Sequence, residues 1–396
     1  MHSRTSPAPH DSGAQPSVTV VLLCRNEIDH IENCLNSILA QVPPPGGFEV
    51  LVVDGMSDDG TREILKRVAA GHKSLRILDN PQRITPCAMN IGIRAARGQW
   101  IAIMGSHNCY AEDYLAKCYE TALETHADNV GGALICQGRT ILEKAIAAAH
   151  HSAFAIGGAK WHNTQYEGPA DTVFGGFYKR EVFERIGTFD EDLVRNQDDE
   201  LNLRLTRSGG TIWHSPKIKS WYCPRNSLRA LFKQYMQYGY WKVRVIQKHK
   251  LPASIRHLVP GAFVLVLMVL FLLSAFRFLL SAFAPNSQLS ALSIPLSIFS
   301  FPVSAFSFQL FSFSFPAALA SYLLAVLVAS VLTAAKTEWK LLPVLPLVFP
   351  CYHFGYGIGF LRGIWDFVIL RRGASVSFTN LTRESTMEAK PAPRSP

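Results

Sequence analysis

Up to about residue 105, hydrophobic and polar positions alternate between two periods along the chain. Short continuous apolar runs, typical of strands buried on both faces, occupy residues 17–24, 48–54, 74–79 and 99–105. Segments with apolar residues at helical spacing separate them, at residues 29–41, 60–71 and 86–97. Strands and helices that alternate at such short intervals predict an α/β fold, with a doubly wound, mostly parallel sheet covered by helices on both faces.

Beyond residue 250 the chain becomes mostly apolar. Residues 258–276 contain no charged residue and are long enough to span a bilayer. Residues 316–335 are similar, and residues 341–361 form a weaker third segment that prolines interrupt. We therefore predict about three spans. A face for close helix packing is indicated by glycines that recur every four residues, Gly355, Gly359 and Gly363.

An uncharged run rich in Ser and Phe, residues 286–315, follows the first span and is either a loop or a fourth span. With three spans, Arg371 and Arg372 would lie outside, against the tendency of Lys and Arg to stay inside. With four spans they would lie inside.

The charge of the chain is concentrated next to the first span. Apolar residues make up 48% of the chain, charged residues 17%, and the net charge is +9. Residues 217–250 contain nine Lys and Arg and no acid, a position that favours a membrane surface over nucleic acid. Eight scattered cysteines without a C-x-x-C pair predict neither a zinc site nor a disulfide framework, and indicate a reducing compartment.

These patterns divide the chain into five parts. They are a disordered tail at 1–16, an α/β domain at 17–216, a basic interfacial segment at 217–256, a membrane region at 257–370 and a flexible tail at 371–396.

Candidate chemistry is expected at the carboxyl ends of the strands, where ligands bind in parallel sheets. Arg25 and Glu27 follow the first strand, Asp54 ends the second, and His107 follows the fourth. Each position also has a structural interpretation, as a helix cap, a turn or a hydrogen-bonded loop residue. Asp54 is the hardest to explain as a cap, because it ends a buried run.

A second candidate is the acidic run Asp198, Asp199 and Glu200 at a predicted helix start. Asp198 shares an edge with Leu201 and Leu205, so we expect it to face the body of the domain, where a carboxylate can act as general base. The alternative is an acidic first turn that complements the helix dipole. Glu200 is expected to pair with Arg204 on the outside of the helix.

Five segments occur together in a fixed order: CRNEIDHIENCLNSI, VVDGMSDDGT, NPQRITPCAMNIGI, DTVFGGFYKREVFERIGTFDEDLVRNQDDELNLRL and SLRALFKQYMQYGYWK. Together they resemble glycosyltransferase family 2 of the GT-A type, in particular the membrane-anchored ExoA group of succinoglycan biosynthesis. The resemblance implies a GT-A-like sheet followed by transmembrane helices. It also implies inverting transfer of a sugar from a nucleotide sugar, expected to be UDP-linked, to a lipid-linked, polyprenyl-type acceptor. The enzyme would build a surface polysaccharide, with its catalytic domain on the cytoplasmic side of a multi-pass inner-membrane protein and no nucleic-acid partner.

The resemblance also assigns roles to individual residues. Asp198 would be the base, with Asp199 beside it, in a motif whose usual Glu is Gln197 here. Asp54 would hold the uracil or ribose. The other implied substrate-binding residues are Arg25, Glu27, Arg83, Asn90, His107 and Arg225.

The metal motif of the family is incomplete in this chain. The resemblance implies Mg²⁺ or Mn²⁺ on the diphosphate, held by Asp-x-Asp or Asp-x-His, but the sequence here is Gly105-Ser106-His107. Three alternatives stay open: His107 and basic residues such as Arg225 hold the diphosphate, the substrate phosphates and water hold a metal, or the protein is an inactive binding or scaffold relative. A dehydrogenase or nucleotidyltransferase is disfavoured, because no Gly-rich loop follows the first strand.

Overall fold

The computed structural model describes residues 15–132, 134–222, 224–283 and 305–379. It divides into two compact units, an N-terminal unit that includes residues up to Arg225 and a helical unit, Asn226–Ala374. The tail predicted at 1–16, the Ser/Phe-rich run and the C-terminal tail lie largely outside the described residues.

Eleven strands occur in the described part of the N-terminal unit: β1 Val18–Cys24, β2 Phe48–Asp54, β3 Leu75–Asp79, β4 Trp100–Gly105, β5 Asn108–Tyr110, β6 Asn129–Gly131, β7 Leu134–Cys136, β8 Gly168–Pro169, β9 Phe177–Lys179, β10 Ile212–His214 and β11 Ser220–Tyr222. Eight of them form one sheet in the order β3-β2-β1-β4-β9-β6-β10-β8, and β5-β11-β7 form a second. The strands β1 to β4 are parallel, whereas β9 runs antiparallel to both β4 and β6. The α/β prediction is therefore confirmed, as a mixed sheet.

The helices of the N-terminal unit are α1 Ile31–Leu39, α2 Thr61–Gly71, α3 Thr85–Ala95, α4 Tyr114–Thr125, α5 Ile141–His150, α6 Ala153–Ile156, α7 Arg180–Ile186 and α8 Gln197–Arg207. They cover both faces of the sheet. Alternate β1 residues join different cores, Val20 and Leu22 packing with Leu35 of α1, and Val21 packing with the α3 and α8 side chains. The chain runs outward from β1 to β3 and returns to β4 on the other side of β1, so a ligand cleft is expected at the carboxyl ends of β1 and β4.

The main helices of the helical unit are α9 Leu228–His249, α10 Val259–Phe283, α11 Ala305–Lys336 and α12 Leu345–Gly363, and α13 Val376–Thr379 follows in the N-terminal unit. Within the described residues, two helices are long and apolar enough to cross a membrane, Ile255–Leu279 and Ser314–Lys336. The third predicted span folds as α12, which is not one of these two. Much of α12 is buried, and Pro350 lies inside it.

α9 and α12 run parallel and in close contact. The three glycines of α12 face the backbone of α9, Gly355 at Phe232 and Gly359 at Met236, and Gly363 follows at Tyr240. A Cβ atom placed on Gly359 would collide with the carbonyl oxygen of Met236. The spacing of four residues thus serves the close helix packing that the sequence predicts.

Replacing Gly359 with Ala is expected to destabilise the helical unit by about 1–3 kcal/mol, because the two backbones must separate. The measurement is the thermal unfolding midpoint of the full chain in detergent. Gly373→Ala is the matched control, because a Cβ there meets nothing within 4 Å. Equal midpoints for the two variants would contradict the packing argument.

A cluster of aromatic and imidazole rings lies in the N-terminal unit outside the predicted site. The ring of His150 lies 4.3 Å from that of His162, 5.7 Å from His151 and 6.1 Å from Trp161, measured between centroids. Burial, reinforced by the nearby His151, lowers the pKa of His150 to about 3. His150 is therefore neutral in the folded chain at physiological pH.

Acidification is expected to destabilise the N-terminal unit through His150. Its pKa is depressed in the folded state, so between the unfolded pKa of 6.5 and about 3 the unfolded chain binds more protons. Each pH unit in that window costs up to ~1.4 kcal/mol. We expect His150→Phe to flatten the dependence of the unfolding midpoint on pH between 6.5 and 5, and the exposed His72→Gln to leave it unchanged. If the unfolding midpoint of His150→Phe depends on pH as steeply as that of the wild type, His150 is not the source of the acid destabilisation.

Candidate active site

The loops that follow β1 and β2 hold each other in place. The Asn26 side chain donates to Asp58 Oδ1 at 2.9 Å, and the Asp58 backbone N–H donates to Asn26 Oδ1 at 3.1 Å. The Asn26 N–H donates to Ser57 Oγ at 2.9 Å, and the Glu27 N–H donates to Thr61 Oγ1 at 2.9 Å. These bonds fix the floor of the cleft beside the carboxyl ends of the two strands.

Asp59 lies just before Gly60, the N-cap of α2, and joins the start of this helix to the loop after β1. Its Oδ1 accepts from the Thr61 N–H and hydroxyl, and its Oδ2 accepts from the Ile28 N–H. Burial raises the pKa of Asp59, but these hydrogen bonds outweigh burial and lower the pKa overall.

Asp54 is completely buried at the end of β2 and is bound within the protein. Its carboxylate accepts from the Ser57 N–H and hydroxyl and from Arg62 Nη1 at 2.8 Å. Arg62 also donates to Asp79 Oδ1 at 2.7 Å, so it links the ends of β2 and β3. The role predicted for Asp54 at the uracil or ribose stays a prediction; in this structure its oxygens hold the Ser57 loop and Arg62.

Arg25 and Arg83 present exposed guanidinium groups at the rim of the same cleft. The Arg25 stem lies against Gly55, where an added Cβ would be 3.0 Å from Arg25 Cδ. Arg25 Nη1 donates to the Arg83 carbonyl at 3.3 Å. The two predicted substrate-binding arginines are therefore brought together, with planar donors suited to phosphate.

Left-handed backbone conformations occur in the loops after β1, β2 and β3 and just before α8. Asn26 has φ 51° after β1, Met56 has φ 57° after β2, Arg83 has φ 59° after β3, and Asn196 has φ 61° just before α8. For residues other than glycine this conformation costs about 1–2 kcal/mol and is concentrated at functional sites. The clustering supports a site at this edge of the sheet.

His107 and Glu27 meet across the cleft. His107 Nδ1 lies 3.3 Å from Glu27 Oε1, with side chains 32% and 11% exposed. The His107 ring lies 6.0 Å from that of Tyr222. Arg225, three residues beyond Tyr222, is half-buried at the end of the N-terminal unit.

These residues do not fit a metal that the protein alone would hold. Glu27 and His107 offer two donors, whereas Mg²⁺ or Mn²⁺ prefers about six ligands, mostly oxygen. At Gly105, where the family motif has Asp, an added Cβ would be 2.9 Å from Asn108 Nδ2. Within the described residues there is no group of three or more His, Cys, Asp or Glu able to hold a metal ion.

Asn90 was predicted to bind substrate, but it is buried and fully engaged. Its Oδ1 accepts from the Phe189 N–H, and its Nδ2 donates to the Phe189 carbonyl and to Glu191 Oε1. Asn90 thus secures the segment that leads to α8, and its predicted substrate contact stays a prediction.

The direction of α8 follows from the strand that comes after it. The N–H groups of Asp128 and Asn129, at the beginning of β6, donate to the carbonyl of Thr211, at the beginning of β10. Because α8 leads into β10, its C-terminal end lies at the amino edge. A helix of 11 residues rises about 16 Å, so α8 runs from that edge toward the carboxyl ends of the strands, and its first turn lies at the far end.

Asp198 emerges on the sheet side of this first turn. One helical turn later, Asn202 is buried, accepts from Asn129 Nδ2 and Tyr178 Oη, and donates to Thr172 Oγ1. Burial raises the pKa of Tyr178, and the charges of Asp198 and Asp199 raise it further. Asp198 is exposed, whereas Asp199 is half-buried.

Glu200 differs from expectation. It is completely buried, and Arg204 binds it through Nε at 3.0 Å and Nη2 at 2.8 Å. Arg204 also donates to the carbonyls of Ile186 and Thr188, so the segment after α7 covers this pair. The prediction that Glu200 and Arg204 pair on the outside of the helix is wrong, because it did not include the segment after α7 that covers them.

Sequence reasoning did not single out Arg62. A signal was present: Arg62 lies in the first turn of α2, where the helix dipole disfavours a cation. A cation at that position indicates acidic partners outside the helix, which here are Asp54 and Asp79.

Comparison with known proteins points to one family. The sequence model of "Glycosyl transferase family 2" matches residues 19–187. The chain is 34% identical over 255 residues to the succinoglycan biosynthesis protein ExoA of Rhizobium meliloti (strain 1021), covering 64% of this chain and 77% of ExoA. It is 27% identical over 258 residues to a dolichyl N-acetyl-alpha-D-glucosaminyl phosphate 3-beta-D-2,3-diacetamido-2,3-dideoxy-beta-D-glucuronosyltransferase of Methanococcus voltae, covering 63% of this chain and 80% of that one.

A solved structure resembles the fold. It is the mannosyltransferase PcManGT from Pyrobaculum calidifontis in complex with GDP-Man and Mn²⁺, with a TM-score of 0.50 and 19% identity, covering 89% of this chain and 88% of that one. At this identity the likeness concerns the fold alone.

Proposed function

The chain belongs to glycosyltransferase family 2, and on that premise we propose that it is a membrane-anchored, inverting enzyme of surface polysaccharide synthesis. It moves a sugar from a nucleotide sugar, expected to be UDP-linked, to a lipid-linked acceptor. The observation that carries this proposal is that Asp198 is an exposed carboxylate in the first turn of α8, one turn before the buried Asn202 that bonds to the sheet.

In this mechanism Asp198 accepts the proton of the acceptor hydroxyl. The hydroxyl oxygen forms the new bond to the anomeric carbon as the bond from that carbon to the diphosphate oxygen breaks. The nucleoside diphosphate leaves with the electron pair, opposite the attacking oxygen, so the configuration inverts. Holding donor and acceptor in line supplies much of the rate.

We assign the diphosphate to the exposed guanidinium groups of Arg25 and Arg83, with His107 next to them. Guanidinium groups form charge-assisted, bidentate hydrogen bonds to phosphate oxygens. Asp54 and Asn90 act indirectly, by holding the loops that present these groups.

The proposed membrane topology has two spans, α10 and α11. Together they return the chain to the side on which it entered, so Arg371 and Arg372 lie on the same side as the basic segment 217–250. This agrees with the positive-inside tendency, which three spans would violate. We place that side in the cytoplasm at the inner membrane, with α9 along the membrane surface.

The test is a screen of nucleotide sugars with membranes that contain lipid-linked acceptor, in which release of nucleoside diphosphate and labelled lipid product are measured. We expect one donor class to give turnover. A second candidate function, a nucleotide-sugar-binding scaffold, is favoured by Gly105 in place of the motif Asp. Tight nucleotide binding without turnover of any donor would select the scaffold.

A further inference from the structure

A buried carboxylate organises arginines at the end of α12. Asp366 is completely buried, and its Oδ2 accepts from the Tyr240 hydroxyl of α9 at 2.9 Å. Arg372 Nη2 donates to Asp366 Oδ1 at 2.6 Å, and Arg362 Nε lies 3.3 Å from Oδ2. One acid thus holds two arginines in fixed positions.

Much of each arginine remains available to a ligand. The side chains of Arg362 and Arg372 are 43% and 47% exposed, although the acid they hold is 0% exposed. Each guanidinium has five N–H donors. Arg362 contacts Asp366 through Nε alone, and Arg372 through Nε and Nη2. Their two positive charges exceed the single charge of Asp366, so the cluster is cationic.

The surroundings add charge and aromatic surface. Arg244 is exposed, and its guanidinium carbon lies 5.7 Å from the centre of the Phe367 ring. Trp365 is 49% exposed, in the manner of tryptophans at headgroup depth. Asp366 and Phe367 belong to a π-helical segment, Ile364–Ile369. π-Helical geometry is rare in proteins, and where it occurs it is often at a functional site. Within residues 226–374 the sequence has two acids, Glu338 and Asp366, against thirteen Lys and Arg.

We propose that Arg362 and Arg372, positioned by Asp366, form a clamp for the headgroup phosphate of an anionic phospholipid. Paired guanidinium groups match phosphate oxygens geometrically, and the net positive charge favours a lipid whose headgroup carries no compensating cation. The adjoining apolar helices α10 and α11 would place the clamp at a bilayer surface. The assignment rests on the membrane part of the proposed function but not on catalysis, so lipid binding and sugar transfer are measured separately.

The experiment titrates the full chain in detergent with phosphatidylglycerol, phosphatidylcholine or a polyprenyl diphosphate, and the thermal unfolding midpoint is recorded. For the wild type we expect saturable stabilisation by phosphatidylglycerol and a weaker effect of phosphatidylcholine. Arg362→Gln/Arg372→Gln should raise the apparent Kd for phosphatidylglycerol at least tenfold. The matched control, Lys336→Gln/Lys340→Gln, removes two exposed charges of the same unit and should titrate like the wild type.

Asp366→Asn separates a positioned clamp from a simple basic patch. The substitution removes one negative charge, so a patch would bind phosphatidylglycerol more tightly, whereas a clamp that has lost its anchor binds it more weakly. If the double Gln variant fails to fold, Arg362→Lys/Arg372→Lys keeps the charge and should still bind several-fold more weakly. Three results would overturn the proposal. They are tighter binding of phosphatidylglycerol by Asp366→Asn, the same apparent Kd for the double Gln variant and its control, or stabilisation by polyprenyl diphosphate alone.

Discussion

Asp198→Asn is expected to lower the rate of sugar transfer by about 10²–10⁴-fold and to leave nucleotide affinity nearly unchanged. The amide has the shape of the carboxylate but cannot accept the proton of the attacking hydroxyl. Asp198 is exposed on α8, whereas the predicted donor contacts lie on the loops after β1, β3 and β4. The measurements are initial rates with donor and acceptor present, and calorimetric titration with the nucleoside diphosphate.

The matched control is Asp192→Asn, which makes the same chemical change at an exposed acid six residues earlier. It should retain the wild-type rate. Asp199→Asn distinguishes the two adjacent acids, because half-buried Asp199 is less accessible to an acceptor. If Asp198→Asn transfers sugar at nearly the rate of Asp192→Asn, the base has been assigned to the wrong residue.

Strand and helix positions could be predicted from the sequence because the signals are local. The run at residues 48–54 coincides with β2. Each of the six other strands and helices predicted up to residue 105 begins within about two residues of its observed start. A fully buried strand needs a continuous apolar run, and this pattern does not depend on its neighbours. No local sequence pattern indicates that β9 lies antiparallel between β4 and β6. β9 has three residues, and its direction is set by pairing with strands that are distant in sequence.

The sequence indicates which strand-end residues lie near one another, but not their side-chain contacts. The edge of the sheet follows from topology, so Arg25, Glu27, Arg83 and His107 were found together. The hydrogen bonds of Asp54 with Ser57 and Arg62 depend on side-chain geometry, which the spacing of residues in the sequence does not reveal.

The helical unit shows the same limit. Hydropathy marks a long apolar segment but cannot distinguish lipid from another helix as the surface that covers it. Residues 341–361 were predicted as the third span from their composition. In the structure most of them form α12, whose glycine face packs on α9.

Arg62→Met is expected to destabilise the N-terminal unit by about 3–5 kcal/mol, because it leaves the charge of the buried Asp54 without its arginine. The same change should weaken nucleotide binding at least tenfold, since Arg62 and Asp54 hold the loop after β2 next to Arg25. The measurements are the thermal unfolding midpoint of the full chain in detergent and titration with nucleoside diphosphate.

Arg67→Met provides the comparison on the same helix. Arg67 pairs with Glu32 at 2.8 Å, but the side chains are 64% and 51% exposed, so its loss should cost no more than about 1 kcal/mol. Asp54→Asn combined with Arg62→Met should recover part of the stability lost in Arg62→Met, because the buried charge is then removed as well. Equal midpoints for the Arg62 and Arg67 variants would show that the Asp54–Arg62 pair does not brace the nucleotide loop, and the indirect role assigned to Asp54 would have to be abandoned.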